Sequence, residues 1–314
     1  METPHSNHYL ALSGGVGGAK LALGLSKILG PEEVMFAVNV GDDFEHLGLH
    51  ISPDIDSLTY ALSGENNQEL GWGRAGETWQ FIETLGGLGG EAWFRLGDKD
   101  LALHMRRAQL LKDNKTLTQA TAEIAAHMGI KHTMAPISDD PIRTMVNTAD
   151  GELAFQHYFV REQCKPAVTG FRFEGIEQAK INPAVKAWLQ DCDGVLICPS
   201  NPFVSVAPIL QVPGFKQAIA HLPIIAVSPI VAGMALKGPA AKMMRELQIP
   251  TTAKAIADQY EGLINGFVLD ETDAQSIGDL TLPAIATQSV MVTLEDRVGL
   301  ARECMRFLDT LQSK

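Results

Sequence analysis

Apolar positions along this chain recur with two different periods. "HYLALSGG" sets an unbroken apolar run before two glycines, which predicts a buried strand entering a tight turn. In "AKLALGLSKIL" the apolar residues Leu21, Leu25, Ile28 and Leu29 recur at helical spacing, and Gly30-Pro31 predicts the stop. "EVMFAVNVGDD" is a second run of strand length, so the chain up to Asp43 predicts a strand–helix–strand crossover and hence a parallel sheet. "DGVLICPSNP", "LPIIAVSPI" and "NGFVLD" repeat the pattern. Asn182-Pro183 predicts a helix start, with Val185, Trp188 and Leu189 as its apolar stripe. Thr293 with Asp296 predicts a capping box for a final helix whose Val298, Met305 and Leu308 face inward. From about Gly71 to Met128 the pattern is helix-rich, and "TMVNTADGELAFQHYFV" predicts a hairpin turning at Asp150-Gly151. The fold class expected is α/β, a doubly wound Rossmann-like parallel sheet. Residues 1–314 are read as one such domain, with a helix-rich and hairpin insertion over about residues 64–180 that forms part of the candidate binding site. No internal repeat or low-complexity linker marks a second domain.

Composition narrows the chemistry. A chain of 314 residues that is 46% hydrophobic has enough apolar material for an extended core. Its net charge of −12 argues against nucleic acid or an anionic membrane as a partner, so an anionic small molecule must be met by local cations, backbone amides or a metal. Cys164, Cys192, Cys198 and Cys304 show no CxxC spacing and read as free thiols of a reducing compartment. "METPHSNHY" has no signal-like pattern and no run reaches membrane-spanning length, so the expected location is the cytoplasm.

"LSGGVGGAKLALGL" carries the strongest signal. Glycines let backbone N–H groups close on a phosphate where a Cβ would intervene, and the following helix adds its positive end. The loop lacks the glycine-lysine-Ser/Thr ending of a Walker A motif, and Lys20 stands where a dinucleotide fingerprint has its third glycine. The alternative is a tight turn that only lets the helix pack on the sheet. Downstream, "NVGDDFEHLGLHISPDIDSL" brings Asp42 and Asp43 to the end of the second strand and Asp54 and Asp56 to an expected helix start. Carboxylates beside an anion imply a divalent cation between them, commonly magnesium; helix capping with a solvated turn, or a grip on a ribose hydroxyl, are the other readings. "WFRLGDKDLALHM" offers Trp93, Phe94 and Arg95, with Asp98 or Asp100 as a helix cap. "CPSNPFVSVAPIL" places Ser200, Asn201 and Ser205 after a strand, within reach of a nucleotide. Lys237, Lys242 and Arg245 are either phosphate-neutralising or surface residues, and His46 and His50 read as surface or core histidines.

Taken in order with "PISDDPIRT", "YFVREQC" and "VSPIVAGMALKGPAAKM", these motifs resemble the 2-phospho-L-lactate transferase family of coenzyme F-420 biosynthesis, over nearly the whole chain. The resemblance implies a magnesium-dependent transferase. The donor is a guanosine diphospho-linked three-carbon acid, namely phospholactate, phosphoenolpyruvate or a related acid. The acceptor is the terminal ribityl hydroxyl of the deazaflavin FO, and GMP leaves. It further implies that Gly14, Gly15, Gly17, Gly18 and Lys20 hold the diphosphate, that Asp43 and Asp56 carry magnesium or orient the hydroxyl as catalytic residues, and that Asp54, Asp56, Trp93 and Arg95 meet the deazaflavin. Ser200 and Asn201 would contact the nucleotide, and the assembly would be a homodimer. The same superfamily also contains non-enzymatic nucleotide or nucleotide-sugar binding regulators of the gluconeogenesis-factor type, which is the alternative function.

Overall fold

The computed structural model describes residues 7–67, 73–235 and 238–312. Gly71, the expected start of the helix-rich stretch, and Lys237 lie outside the described residues. Seven strands form the central sheet: β1 (Tyr9–Ser13), β2 (Val34–Val38), β3 (Met134–Pro136), β4 (Gly194–Ile197), β5 (Ile224–Val227), β6 (Gly266–Asp270) and β7 (Ala284–Thr287). Their order is 3-2-1-4-5-6-7 and every neighbouring pair is parallel. This is the doubly wound Rossmann-like arrangement expected from the sequence. Its direction of winding reverses between β1 and β4, where ligands of such sheets bind. All five residues of β1, β2 and β6 are buried, as strands covered by helices on both faces require.

Helix α1 (Gly15–Leu25) leaves β1 directly. It ends earlier than Gly30-Pro31, at Ser26, after which the Lys27 amide tightens to an i→i−3 bond with the Gly24 carbonyl at 3.1 Å. The last helix, Leu294–Gln312, crosses α1 so closely that a Cβ at Gly24 would strike the Arg297 carbonyl. Its start is the predicted capping box: Asp296 N donates to Thr293 Oγ1 at 3.2 Å and Thr293 N to Asp296 Oδ2 at 2.7 Å. Asn182 caps the helix Pro183–Trp188 by accepting from Ala184 N at 2.8 Å.

Between β2 and β3 the chain builds a ribbon (Phe44–His46 with Leu49–Ile51) and then α2 (Pro53–Ser63), α3 (Gln80–Gly87), α4 (Asp98–Lys112) and α5 (Leu117–His127). After β3 it forms a three-stranded antiparallel sheet with Arg143–Thr148 between Gly151–Ala154 and Val168–Glu174. The hairpin turns at Asp150-Gly151, but its second strand stops at Ala154. "HYFV", expected to continue it, is wound instead into a π-helical turn, His157–Arg161. The reason is burial of Phe155 and Tyr158 against Val146, Val204 and Met243, a spacing of three that an alternating strand cannot supply. The four cysteines are free thiols, and among the described residues no helix is long and apolar enough to cross a membrane.

Candidate active site

A cleft of about 810 Å³ opens at the carboxyl ends of the parallel strands. Its floor is the glycine loop. Gly14 is the N-cap of α1, and glycine there brings no side-chain acceptor; no acidic residue sits in the first turn. A Cβ at Gly17 would collide with the Pro199 carbonyl, and one at Gly14 would lie 2.8 Å from Ser205 Cβ. Gly18 has the same constraint against Ser13 Oγ at 2.9 Å, while Gly15 takes a left-handed φ of +61°. The glycines therefore let α1 approach the loop after β4 and bring its amino end to the cleft, where the Gly15 amide is taken by Asp54 Oδ1. Lys20 lines the same floor, and its Nζ donates to the Met291 carbonyl at 2.8 Å.

Four carboxylates gather beside the loop, and a solvated turn is ruled out by their exposures: Asp42 6%, Asp43 2%, Asp54 5% and Asp56 5%. Asp54 and Asp56 fall in the first turn of α2, one step past Ser52-Pro53. Asp54 Oδ1 accepts from Gly15 N at 2.7 Å and Oδ2 from Asn39 Nδ2 at 2.8 Å. Asn39, placed at the end of β2, also donates to Asp42 at 3.2 Å and accepts from Gly41 N at 2.8 Å. Burial, followed by the charge of Asp54, pushes Asp42 well above the usual carboxylate range. Burial likewise raises Asp54 to about 6, against the lowering effect of its hydrogen bonds from Asn39 and Gly15. Asp43 Oδ2 takes Ser52 Oγ at 2.9 Å and His50 Nε2 at 3.0 Å, whereas its Oδ1 is buried with no hydrogen-bond partner. His50, read from sequence as a surface or core residue, is thus tied to the acidic cluster.

Asp56 is paired with Arg107 of α4, a residue sequence reading passed over. The guanidinium reaches Oδ1 with one nitrogen and Oδ2 at 3.2 Å with the other. His104 lies alongside, with Nδ1 3.2 Å from an Arg107 nitrogen that can only donate, so the ring proton is assigned to Nε2, which faces Asp100 at 3.3 Å. Tyr60 donates its hydroxyl to the same Asp100 oxygen. Burial drives Asp100 up, but His104, the Tyr60 hydroxyl and the charge of Arg107 together outweigh it and hold the acid below its ordinary range. Asp56, Tyr60, Asp100 and His104 all line the cleft. Neither Asp98 nor Asp100 is the expected cap of α4: Gly97 takes that place, and Asp98 instead accepts from Phe81 N at 3.1 Å, capping α3.

The opposite wall is aromatic. Trp93 and Phe94 line the cleft and pack edge-on with Phe44 and His46, and Trp93 meets His157 at 4.9 Å. Trp93 Nε1 is buried without a partner. Arg95 also reaches the cleft, its guanidinium 4.4 Å from the Trp79 ring centre. Phe155 and Gln156, just before the π-helical turn, and Phe159 within it extend this wall; such turns recur at functional sites.

Ser200, Asn201 and Ser205 line the end nearer β4. Asn201 is partly committed: its Oδ1 accepts from Phe203 N at 3.0 Å as the cap of a second π-helical turn, Pro202–Val206. Lys242 does not join the site, because its Nζ is held by Glu246 at 2.5 Å and the Pro166 carbonyl at 3.0 Å. Asn39 and His104 lay inside quoted motifs but were given no role there, and Arg107 fell outside every motif. A buried arginine and histidine three apart on a helix rich in surface residues was the one available signal, and their partner lies about fifty positions away.

The residues present fit a divalent cation in one specific sense. Among the described residues no group of three or more His, Cys, Asp or Glu side chains forms a ready cage. Magnesium, however, is commonly bound by one or two carboxylates plus substrate phosphates. The unpartnered Asp43 oxygen and the crowded, uncompensated Asp42 and Asp54 supply that kind of half-site.

Comparison with known proteins agrees with the motif order. A family profile described as 2-phospho-L-lactate transferase CofD matches residues 10–298. The 2-phospho-L-lactate transferase of Methanosarcina mazei is 35% identical over 264 residues, covering 84% of this chain and 87% of that protein. The phosphoenolpyruvate transferase of Streptomyces griseus is 34% identical over 315 residues, covering 97% and 99%. In fold, a UPF0052-family protein from Bacillus halodurans matches with a TM-score of 0.63 at 16% identity, covering 95% of this chain and 99% of that one. With a profile match across nearly its whole length and relatives of this similarity, the chain belongs to the 2-phospho-L-lactate transferase (CofD) family.

Proposed function

We propose that this protein transfers a phospho-three-carbon acid from a guanosine diphospho-linked donor to the ribityl hydroxyl of FO, releasing GMP, in the biosynthesis of coenzyme F-420. One observation carries the reading: a single cleft joins a glycine-bounded helix end to an aromatic wall, with buried carboxylates at the junction. A regulator that only binds a nucleotide needs the first feature and has no use for the other two. The relatives are named for two acids, 2-phospho-L-lactate and phosphoenolpyruvate, and either suits the proposal.

In this reading Gly14, Gly15, Gly17, Gly18 and Lys20 hold the diphosphate, and Ser200 with Asn201 meets the guanosine side. Trp93 and Arg95 receive the deazaflavin, and Asp54 stands between the two substrates. Asp43, through its unpartnered oxygen, would hold magnesium together with the donor phosphates; Asp56 already has Arg107 as counter-charge and is assigned to the acceptor. Bound there, magnesium supplies charge neutralisation for the diphosphate. The ribityl oxygen attacks the phosphorus that carries the acid, and the bond from that phosphorus to the GMP oxygen breaks. Asp56 orients the hydroxyl and takes its proton, the role a carboxylate plays when a weak alcohol nucleophile must be aligned. Amides at the α1 end and Lys20 stabilise charge accumulating on the departing GMP. We further assign the protein to the cytoplasm, as a homodimer.

The test is a fluorescence titration of FO into the magnesium-loaded protein, followed by GMP release with each candidate donor. Saturable FO binding with stoichiometric GMP formation is the expected result. Nucleotide binding without FO binding or turnover overturns the transferase reading in favour of the regulator.

A further inference from the structure

Arg107 is only 1% exposed and, among the described residues, is the largest fully buried side chain, yet it does not line the cleft. Its bonds all point toward the acidic cluster. Two nitrogens grip the two oxygens of Asp56 in a fork. One of them also approaches His104 Nδ1 at 3.2 Å and the His50 carbonyl at 3.4 Å. His50 in turn holds Asp43 through Nε2 at 3.0 Å. One guanidinium therefore fixes Asp56 directly and the ribbon residue that fixes Asp43.

Stability alone does not account for this arrangement. Two charges taken out of water recover their desolvation cost only with good geometry, and a well-packed apolar pair at such a site is often as stable or more so. A planar fork on a carboxylate does something an apolar pair cannot: it sets the rotation of the carboxyl plane. In Asp56 that plane decides which lone pairs face the cleft.

We propose that Arg107 is a positioning residue for the transfer, setting the orientation in which Asp56 meets the acceptor hydroxyl. The inference rests on the transferase reading above. It assigns α4, which has no part in the sheet, a direct purpose in the chemistry: the element that lends Asp100 and His104 to the cleft also aims the Asp56 carboxylate.

The experiment compares wild type with Arg107→Lys and Arg107→Gln. Turnover is expressed per FO-binding site, counted by fluorescence titration, so that an unfolded fraction does not enter kcat. Lysine keeps the charge and loses the fork; glutamine loses both. We expect kcat to fall about tenfold in Arg107→Lys and about a hundredfold in Arg107→Gln, the scale of a misplaced catalytic group. KM for FO and donor should stay within about threefold, since neither substrate touches Arg107. Partial recovery by lysine over glutamine is the signature of positioning. If glutamine prevents folding, the lysine variant decides by itself. A lysine variant with wild-type kcat, one whose loss falls on KM, or one that no longer folds overturns the proposal. A wild type that neither binds FO nor turns over fails the transferase reading itself, whereas an active wild type with an unimpaired lysine variant removes only the role of Arg107.

Discussion

The two sides of the cleft are built from opposite materials. The floor between β1 and β4 is backbone: glycines whose missing Cβ atoms let α1 settle against Pro199 and Ser205. The wall from α2 and α4 is side chain: Asp56, His104, Asp100 and Tyr60, with Arg107 behind them, buried and bonded to one another. The floor carries a single cation, Lys20, among its glycines and tolerates almost no added atom. The wall is sensitive to charge and pH and is held by pairs distant in sequence. A transferase with two substrates needs both, one surface to receive an anion without selecting its side groups and one to aim a hydroxyl.

The largest expected effect comes from breaking the wall. Asp56→Asn leaves Arg107 buried without its counter-charge, which should cost about 3–5 kcal/mol in a denaturant melt. Turnover should fall at least about a hundredfold in the same variant; a stable, active Asp56→Asn protein would show that the pair serves neither purpose. Next is the floor. Gly17→Ala forces a Cβ against the Pro199 carbonyl, and overpacking of this kind costs about 1–3 kcal/mol. Donor binding should weaken strongly while FO binding persists, which isothermal titration with each substrate would separate.

A smaller effect distinguishes the two sides by pH. The carboxyl of Asp54 is raised from its model-compound value of 3.8 to about 6 in the folded protein, mainly by burial. The folded state then binds more protons than the unfolded one between those values, so stability should fall as pH rises through that window. Asp42 is shifted in the same direction and adds to the slope. Melting temperatures from pH 4 to pH 6 should show this decline, and Asp54→Asn should flatten it; an unchanged slope would mean the cluster is balanced by groups other than those named. The smallest effect is expected from Lys20→Ala. Losing the bond from Lys20 Nζ to the Met291 carbonyl should cost only about 1 kcal/mol of stability. The donor KM should nevertheless rise about tenfold if the ammonium meets the diphosphate, equivalent to about 1.4 kcal/mol.

The glycine loop was legible because its meaning is local: five positions fix both the turn and the close approach, whatever they pack against. The aspartates were legible as a group, since Asp42, Asp43, Asp54 and Asp56 all end up buried near the loop. Their individual states were not. Asp43 and Asp56 look alike in sequence, yet one keeps an unpartnered oxygen and the other has both oxygens held. β3 and β7 were missed as sheet strands: β3 has three residues and β7 is only half-buried, so neither makes an apolar run long enough to stand out. "HYFV" looked like strand because its apolar content is right; only the packing partners of Phe155 and Tyr158 select a π-helical turn.

By itself the sequence determined the parallel α/β sheet, the glycine turn at its switch point and the family, because each depends on periodicity or on short ordered motifs. Tertiary structure alone decided which carboxylate is paired, which is left open, and that an arginine of α4 reaches back to Asp56. The physical reason is range. A turn is set by the φ and ψ angles of a few adjacent residues, but the state of a buried charge is set by whichever group the fold brings within hydrogen-bond distance.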